Sequence, residues 1–408
     1  MSHDLKITTL QNRERGNYDI SFLNEEVAEN IHKYHASFPM YENTPLVSLE
    51  NLAEALEVKD IFVKDESYRF GLNAFKVLGG SYAIGEVVAE KLGIPLKDLS
   101  FERLVSDEIR EKLGEVTFIT ATDGNHGRGV AWTANELKQH SIVYMPAGTA
   151  EERAVNIRKL GADVTIQDAN YDECVRMANE LAEEKGYIMV QDTAWDGYED
   201  IPRWIMQGYM TMSYEIAEEL RNLEKKPTHI FLQAGVGSLA AAATGYFSNI
   251  YPGEDKPIIT IVEPNTVACI YESALAGERV LIGGNYHTIM AGLACGEPNT
   301  VGLEVLFDYA DYYISAPDNL AAHGMRVLGN PLKEDKKIIS GESGAAPFGV
   351  IAKVLEDAHY KEIKETLQID ENSVLLFIST EGDTDRKNYL DIVWDGKYPS
   401  TTVESEEK

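Results

Sequence analysis

Short apolar runs recur along this chain, and longer helical patterns separate them. The runs are "DIFVKDE", "VTFITAT", "SIVYMP", "DVTIQ", "YIMVQD", "THIFLQ", "IITIVEP" and "SVLLFIST". Between them lie "GRGVAWTANEL", "AEERAVNIRKLG", "YDECVRMANELAEEKG" and "LAAAATGYFSNIY". A strand that is apolar on both faces must be covered on both faces, which parallel strands with crossover helices achieve. The fold class expected is therefore α/β, with doubly wound, mostly parallel sheets. In such folds the loops at the carboxyl ends of the strands form the ligand site. The richest loops lie there: "ATDGNHG", "QAGVGS", "VEPN" and "ISTEGDTD".

Charge and cysteine use narrow the function classes. Lys and Arg number 37 against 67 Asp and Glu, a formal charge of −30. That argues against binding nucleic-acid phosphates or anionic membranes. Cys174, Cys269 and Cys295 form no CxxC pair, which argues against a structural zinc site and a disulfide scaffold. One bridge between Cys269 and Cys295 stays open. No signal peptide or membrane-length apolar run is present, so a cytoplasmic protein is expected. The tail "TTVESEEK" reads as frayed. The segment from Pro95 to Gly114 is charged and aperiodic, and it reads as an insertion.

"THIFLQAGVGSLAAAATGYF" is a strand, a glycine turn and a helix. Gly235 and Gly237 allow close backbone approach, and the helix start offers free N–H groups and a positive dipole end. A phosphate fits such a tip, with the Ser238 hydroxyl as a further donor. "GVGSLA" also matches a dinucleotide fingerprint, with Glu263 as the ribose-binding acid. A nicotinamide enzyme thus competes, as does a purely structural turn.

"SYRFGLNAFKVLGGSYA" places Lys76 inside an apolar, glycine-punctuated run. The bland account is a lysine that snorkels from a helix starting near Asn73. The sharper one is a buried lysine whose pKa falls, giving the neutral amine that Schiff-base chemistry requires.

The order of motifs separates these readings. "GLNAFKVLGG", "TATDGNHGRGVAW", "QAGVGSLAAA", "HTIMAGLACGEP", "GESGAAPFG" and "ISTEGDTD" together resemble, in sequence order, the β-family (fold type II) of pyridoxal-phosphate enzymes. The resemblance implies a small domain at 82–192 inserted in a large one at 1–81 and 193–408, and commonly a homodimer. It implies that Lys76 binds pyridoxal 5'-phosphate covalently and that Gly235, Val236, Gly237, Ser238 and Leu239 hold the phosphate. Asn125 is implied to meet the ring hydroxyl. Ser379 is implied to face the pyridine nitrogen, with Thr380 as the alternative. Thr122, with backbone around Gly124 to His126, is implied to receive the substrate carboxylate.

Asp123 within the asparagine loop and "QDTAWDGYEDIPRWIMQGY" resemble the branch of this family that eliminates ammonia from a diamino acid. Threonine and serine dehydratases, the alternative, carry a small residue where Asp123 stands. Asp123 and Asp192 both end expected strands. A base on each face of the cofactor would admit both enantiomers, Asp123 serving the D-isomer and Lys76 the L-isomer. Asp192 is expected to recognise the second ammonium or act as a supporting acid. His126 reads as shaping its loop, and Glu342 and Ser343 as pocket wall. No pattern of metal ligands is evident.

Overall fold

The computed structural model describes residues 5–284 and 286–400. The tail call on "TTVESEEK" therefore lies outside the described residues. Among the described residues eleven strands form two sheets: β1 (Lys6–Thr8), β2 (Leu46–Ser48), β3 (Asp60–Asp65), β4 (Thr117–Ala121), β5 (His140–Met145), β6 (Asp163–Ile166), β7 (Ile188–Met189), β8 (His229–Gln233), β9 (Ile258–Pro264), β10 (Tyr312–Ala316) and β11 (Val374–Ser379). The large sheet runs β1-β10-β9-β8-β11-β3-β2 and the small one β6-β5-β4-β7. Only the edges of the large sheet are antiparallel: β1 against β10 and β2 against β3. The small sheet is parallel throughout. The α/β class follows as expected, because β8 and β11 are buried at every position and need helices on both faces.

Three local expectations change. The lysine helix spans Val77–Leu92, so it starts at Lys76 itself and not near Asn73. Asn73 instead takes a left-handed turn at φ 58°. "YIMVQD" pairs over only Ile188–Met189 before it bends into the cleft. The segment 95–114 carries two short helices, Phe101–Leu104 and Asp107–Leu113, each opened by a serine cap. Phe101 anchors it, its ring 4.4 Å from that of Phe38 and stacked near Trp132. Leu96, Leu99, Leu104 and Ile109 are buried beside it in the main core, so scattered apolar anchors and not a regular period hold this segment.

Glycines let backbones touch where the site is built. A Cβ at Gly129 would lie 2.8 Å from Val77 Cα and 3.2 Å from the Lys76 carbonyl oxygen. Helix Asn125–Glu136 thus sits directly on the lysine. A Cβ at Gly208 would lie 2.5 Å from the Leu78 carbonyl oxygen, and one at Gly79 would meet the Tyr209 ring at 2.5 Å. Helix Asp200–Asn222 therefore packs on the lysine helix backbone to backbone at Gly208, with the Tyr209 ring over Gly79. The stripe "WIMQGYMTMSY" lies on this helix, with Met206, Met210 and Met212 buried in the main core. None of the described helices is long and apolar enough to cross a membrane.

Candidate active site

One cleft lies where β4, β8 and β11 end. It encloses about 650 Å³, including space open to solvent, and Lys76, Asp123, Asp192 and Gly235 to Leu239 all line it. Two motifs about 310 residues apart set the lysine. The Phe75 N–H donates to the Thr380 carbonyl at 3.1 Å, and the Gly382 N–H donates to the Asn73 carbonyl at 3.1 Å. Asn73 Nδ2 donates to Asp383 at 3.4 Å, across that separation.

Lys76 Nζ donates to Asp192 Oδ2 at 2.5 Å. Burial works against the charge on this lysine, but Asp192, Tyr209 and Asp123 outweigh it, and its pKa is raised. This corrects the expectation of a neutral amine. A carboxylate in contact opposes desolvation and favours the ammonium form. Asp192 is the mirror case: burial pushes its pKa up, and Lys76 with His126 and Tyr171 brings it below the usual range. Tyr171 donates to Asp192 Oδ1 at 3.1 Å, and Gln191 Nε2 donates to the same oxygen at 3.2 Å.

The glycine turn fits a phosphate. Gly237 adopts φ 99° and caps helix Ser238–Ile250. At Gly235 a Cβ would come within 3.1 Å of the Gly292 carbonyl oxygen. The turn thus stays bare, with the helix's first N–H groups on the cleft side. The Ser238 hydroxyl is engaged elsewhere: it donates to the Asp192 carbonyl and accepts from Asn299 Nδ2 at 2.8 Å. The hydroxyl expected as a further donor is thus spent within the protein. These donors, a lysine in the same cleft and Asn125 on its wall suit pyridoxal phosphate.

The remaining expectations divide. Thr122, Asn125 and His126 line the cleft, whereas Gly124 does not. The Gly124 N–H is taken by the Thr122 hydroxyl at 2.9 Å, which removes it as a carboxylate donor. His126 Nε2 pairs with the Val190 carbonyl at 2.7 Å, which holds the loop. Ser379 lies off the cleft, with its hydroxyl donating to Ser340 at 2.8 Å. Thr380 lines the cleft and accepts from Gln233 Nε2 at 2.8 Å. Of the two, only Thr380 lines the cleft, because adjacent residues leaving a strand point to opposite sides. Ser343 lines the wall. Glu342 sits behind it, its pKa pushed up to about 7 by burial and by Glu381.

Several residues escaped sequence reasoning. Tyr171, Tyr209 and Glu381 all face the cleft, and Arg153 pairs with Asp123 Oδ2 at 3.3 Å. Glu381 accepts from Asn125 Nδ2 at 2.6 Å and so orients that amide. Only Glu381 had a visible signal, since it stands inside the quoted "ISTEGDTD" loop. Glu263 has no free oxygen for a ribose: it accepts the N–H groups of Ile270 at 3.0 Å and Tyr271 at 2.6 Å. Burial raises its pKa to about 8. Cys174, Cys269 and Cys295 are buried free thiols, so the open bridge is absent. Among the described residues no group of three or more His, Cys, Asp or Glu could hold a metal ion.

A phosphate-shaped helix tip facing a lysine between two parallel sheets defines a fold type II pyridoxal-phosphate enzyme. The chain belongs to the pyridoxal-phosphate dependent enzyme family, which it matches over residues 38–369. Within that family it is similar to the diaminopropionate ammonia-lyase of Escherichia coli (strain K12), with 48% identity over 394 residues, 97% of this chain and 98% of that protein. The crystal structure of the Escherichia coli enzyme in complex with D-serine has a TM-score of 0.90 and 45% identity, covering 97% of this chain and 98% of that one. Threonine deaminase isoform 2 from Solanum lycopersicum shares the fold at TM-score 0.72 and 21% identity, covering 97% and 98% of the two chains.

Proposed function

We propose that this enzyme removes both amino groups of 2,3-diaminopropionate, D or L, consuming one water and giving pyruvate and two ammonia. The observation that carries the reading is a cleft in which Lys76 meets two carboxylates, buried Asp192 in contact and half-buried Asp123 close enough to raise its pKa. A substrate with a second ammonium needs such a carboxylate, whereas serine and threonine do not.

Pyridoxal phosphate, when bound, accepts the electron pair left at the α-carbon. The glycine turn Gly235–Gly237 and the Ser238 and Leu239 N–H groups hold its phosphate, and Asn125 and Thr380 orient its ring. Thr122 receives the substrate carboxylate. Lys76, freed as an amine, takes the α-proton of the L-isomer, and Asp123 takes that of the D-isomer. Asp192, no longer paired with the Lys76 ammonium, binds the substrate's second ammonium, and Tyr171 and Gln191 keep its other oxygen fixed. His126 holds the loop, and burial keeps its pKa low. The small-sheet unit at 82–192 closes on the larger one at 1–81 and 193–408. We also read the enzyme as a cytoplasmic homodimer, and as one without nucleic-acid or membrane partners, the latter supported by its net charge of −30.

The test is to supply each diaminopropionate isomer, serine and threonine in turn, and to measure pyruvate and ammonia. Two ammonia per pyruvate from diaminopropionate, well above the yield from serine, supports the reading. Equal or better turnover of serine or threonine makes it a dehydratase.

A further inference from the structure

Arg153 has no task in the reaction above, yet it is buried against the residue that reaction uses. It stands on helix Glu151–Arg158, separate from the loop that carries Asp123. Its Nη1 lies 3.3 Å from Asp123 Oδ2 and 3.4 Å from the Asp123 carbonyl oxygen. Its side chain is only 10% exposed, and that of Asp123 18%. The aliphatic stem packs under the loop, since a Cβ at Gly124 would lie 3.3 Å from Arg153 Cδ. One guanidinium thus grips both the side chain and the backbone of Asp123, which fixes the direction of the carboxylate.

The surroundings show why a cation is needed there. Burial disfavours the charge on Asp123, and Glu381 across the cleft adds to that, while Arg153 and Lys76 oppose it. Lys76 is directed at Asp192, and its free ammonium is lost once the cofactor is joined to it. Arg153 then remains. It is itself held charged, since Asp123, Glu381, Glu342 and Asp385 together overcome its burial. These carboxylates come from the loop after β4, the turn after β11, and the starts of helices Glu342–Glu356 and Arg386–Val393.

We propose that Arg153 is the positioning residue for Asp123, aiming its carboxylate and supplying the lasting countercharge, so that it governs turnover of the D-isomer and not of the L-isomer. This rests on Asp123 being the D-isomer's base. The sign is fixed by the chemistry. Asp123 must be unprotonated to act, so removing its cation raises the pH at which it becomes active.

The experiment compares kcat/KM against pH for both isomers in the holoenzyme, Arg153→Met and Arg153→Lys. In Arg153→Met the acidic limb for the D-isomer should rise by about 1–3 pH units, with about a tenfold loss per unit below it. The L-isomer limb should stay in place, and Arg153→Lys should restore much of the D-isomer limb. A D-isomer limb that does not move, or two limbs that move together, overturns the proposal. Carbon-13 labelling of aspartate carboxyls gives a readout free of turnover, with Asp123 identified by its loss in Asp123→Asn. Its titration midpoint should rise in Arg153→Met, and an unchanged midpoint rejects the role. Should Arg153→Met not fold, Arg153→Gln carries the same comparison. Failure of the underlying assignment looks different: Asp123→Asn would then depress both isomers equally, while the carboxyl titration still judges Arg153.

Discussion

Two lysines sit beside buried carboxylates in this molecule, and they differ in how completely they are partnered. Lys64 Nζ donates to the Thr44 carbonyl at 2.6 Å, to Glu219 at 2.8 Å and to Glu215 at 2.9 Å. All three of its hydrogens have an acceptor, and its side chain is 0% exposed. Arg69 completes that network through Glu66 and Glu215. Lys76 has one carboxylate, Asp192, and its side chain is 17% exposed to the cleft. A saturated ammonium is held in place and inert, whereas one with free hydrogens facing a cavity can exchange its partner. The first network carries structure and the second chemistry, although a sequence shows both as a lysine in an apolar run.

The largest expected effect tests the chemical member. Lys76→Ala should lose the borohydride-reducible adduct and about a thousandfold or more of turnover, read by mass spectrometry and by pyruvate release. A surviving adduct breaks the comparison. Glu215→Gln tests the structural member. It takes one of two carboxylates from Lys64 and one of two from Arg69, and should cost about 3 kcal/mol in denaturant unfolding while KM stays near wild type. A smaller stability loss than that of Asp192→Asn would reverse the assignment.

Asp192→Asn should cost less, about 1–2 kcal/mol, since Lys76 can turn to water in the cleft. Its main effect should be a raised KM for diaminopropionate and little change for serine. The smallest effect is a pH slope. Burial opposes ionisation of Glu215, but Arg69 and Lys64 hold its pKa down at about 2, against 4.5 ordinarily. A lowered folded pKa stabilises above pH 4.5, and that stability is lost as pH falls toward 2. Thermal melts of the wild type should therefore drop below pH 4.5, and Glu215→Gln should flatten that slope.

The strands that build the cleft were legible because each is a continuous apolar run. β1 and β2 were not, being three residues long and antiparallel at an edge, where pairing and not pattern makes a strand. Asn125, Asp123 and Lys76 were visible through the motifs around them. Arg153 and Tyr171 were not, because each lies on an ordinary amphipathic segment and reaches the site only through tertiary packing. Thr380 against Ser379 turned on a single step at a strand end, which inverts the face. The charge on Lys76 was misjudged for a related reason: its partner Asp192 is 116 residues away, and burial alone gives the opposite sign.

The bare contact between Gly79 and Gly208 ties these two lysines mechanically. Helix Asp200–Asn222 carries Glu215 at its far half, and its near half rests on the turn that begins with Lys76. At Gly208, where only backbone faces it, a single added methyl would act as a shim. It would tilt the amine away from its carboxylate and lever the distant charge network out of register in the same movement.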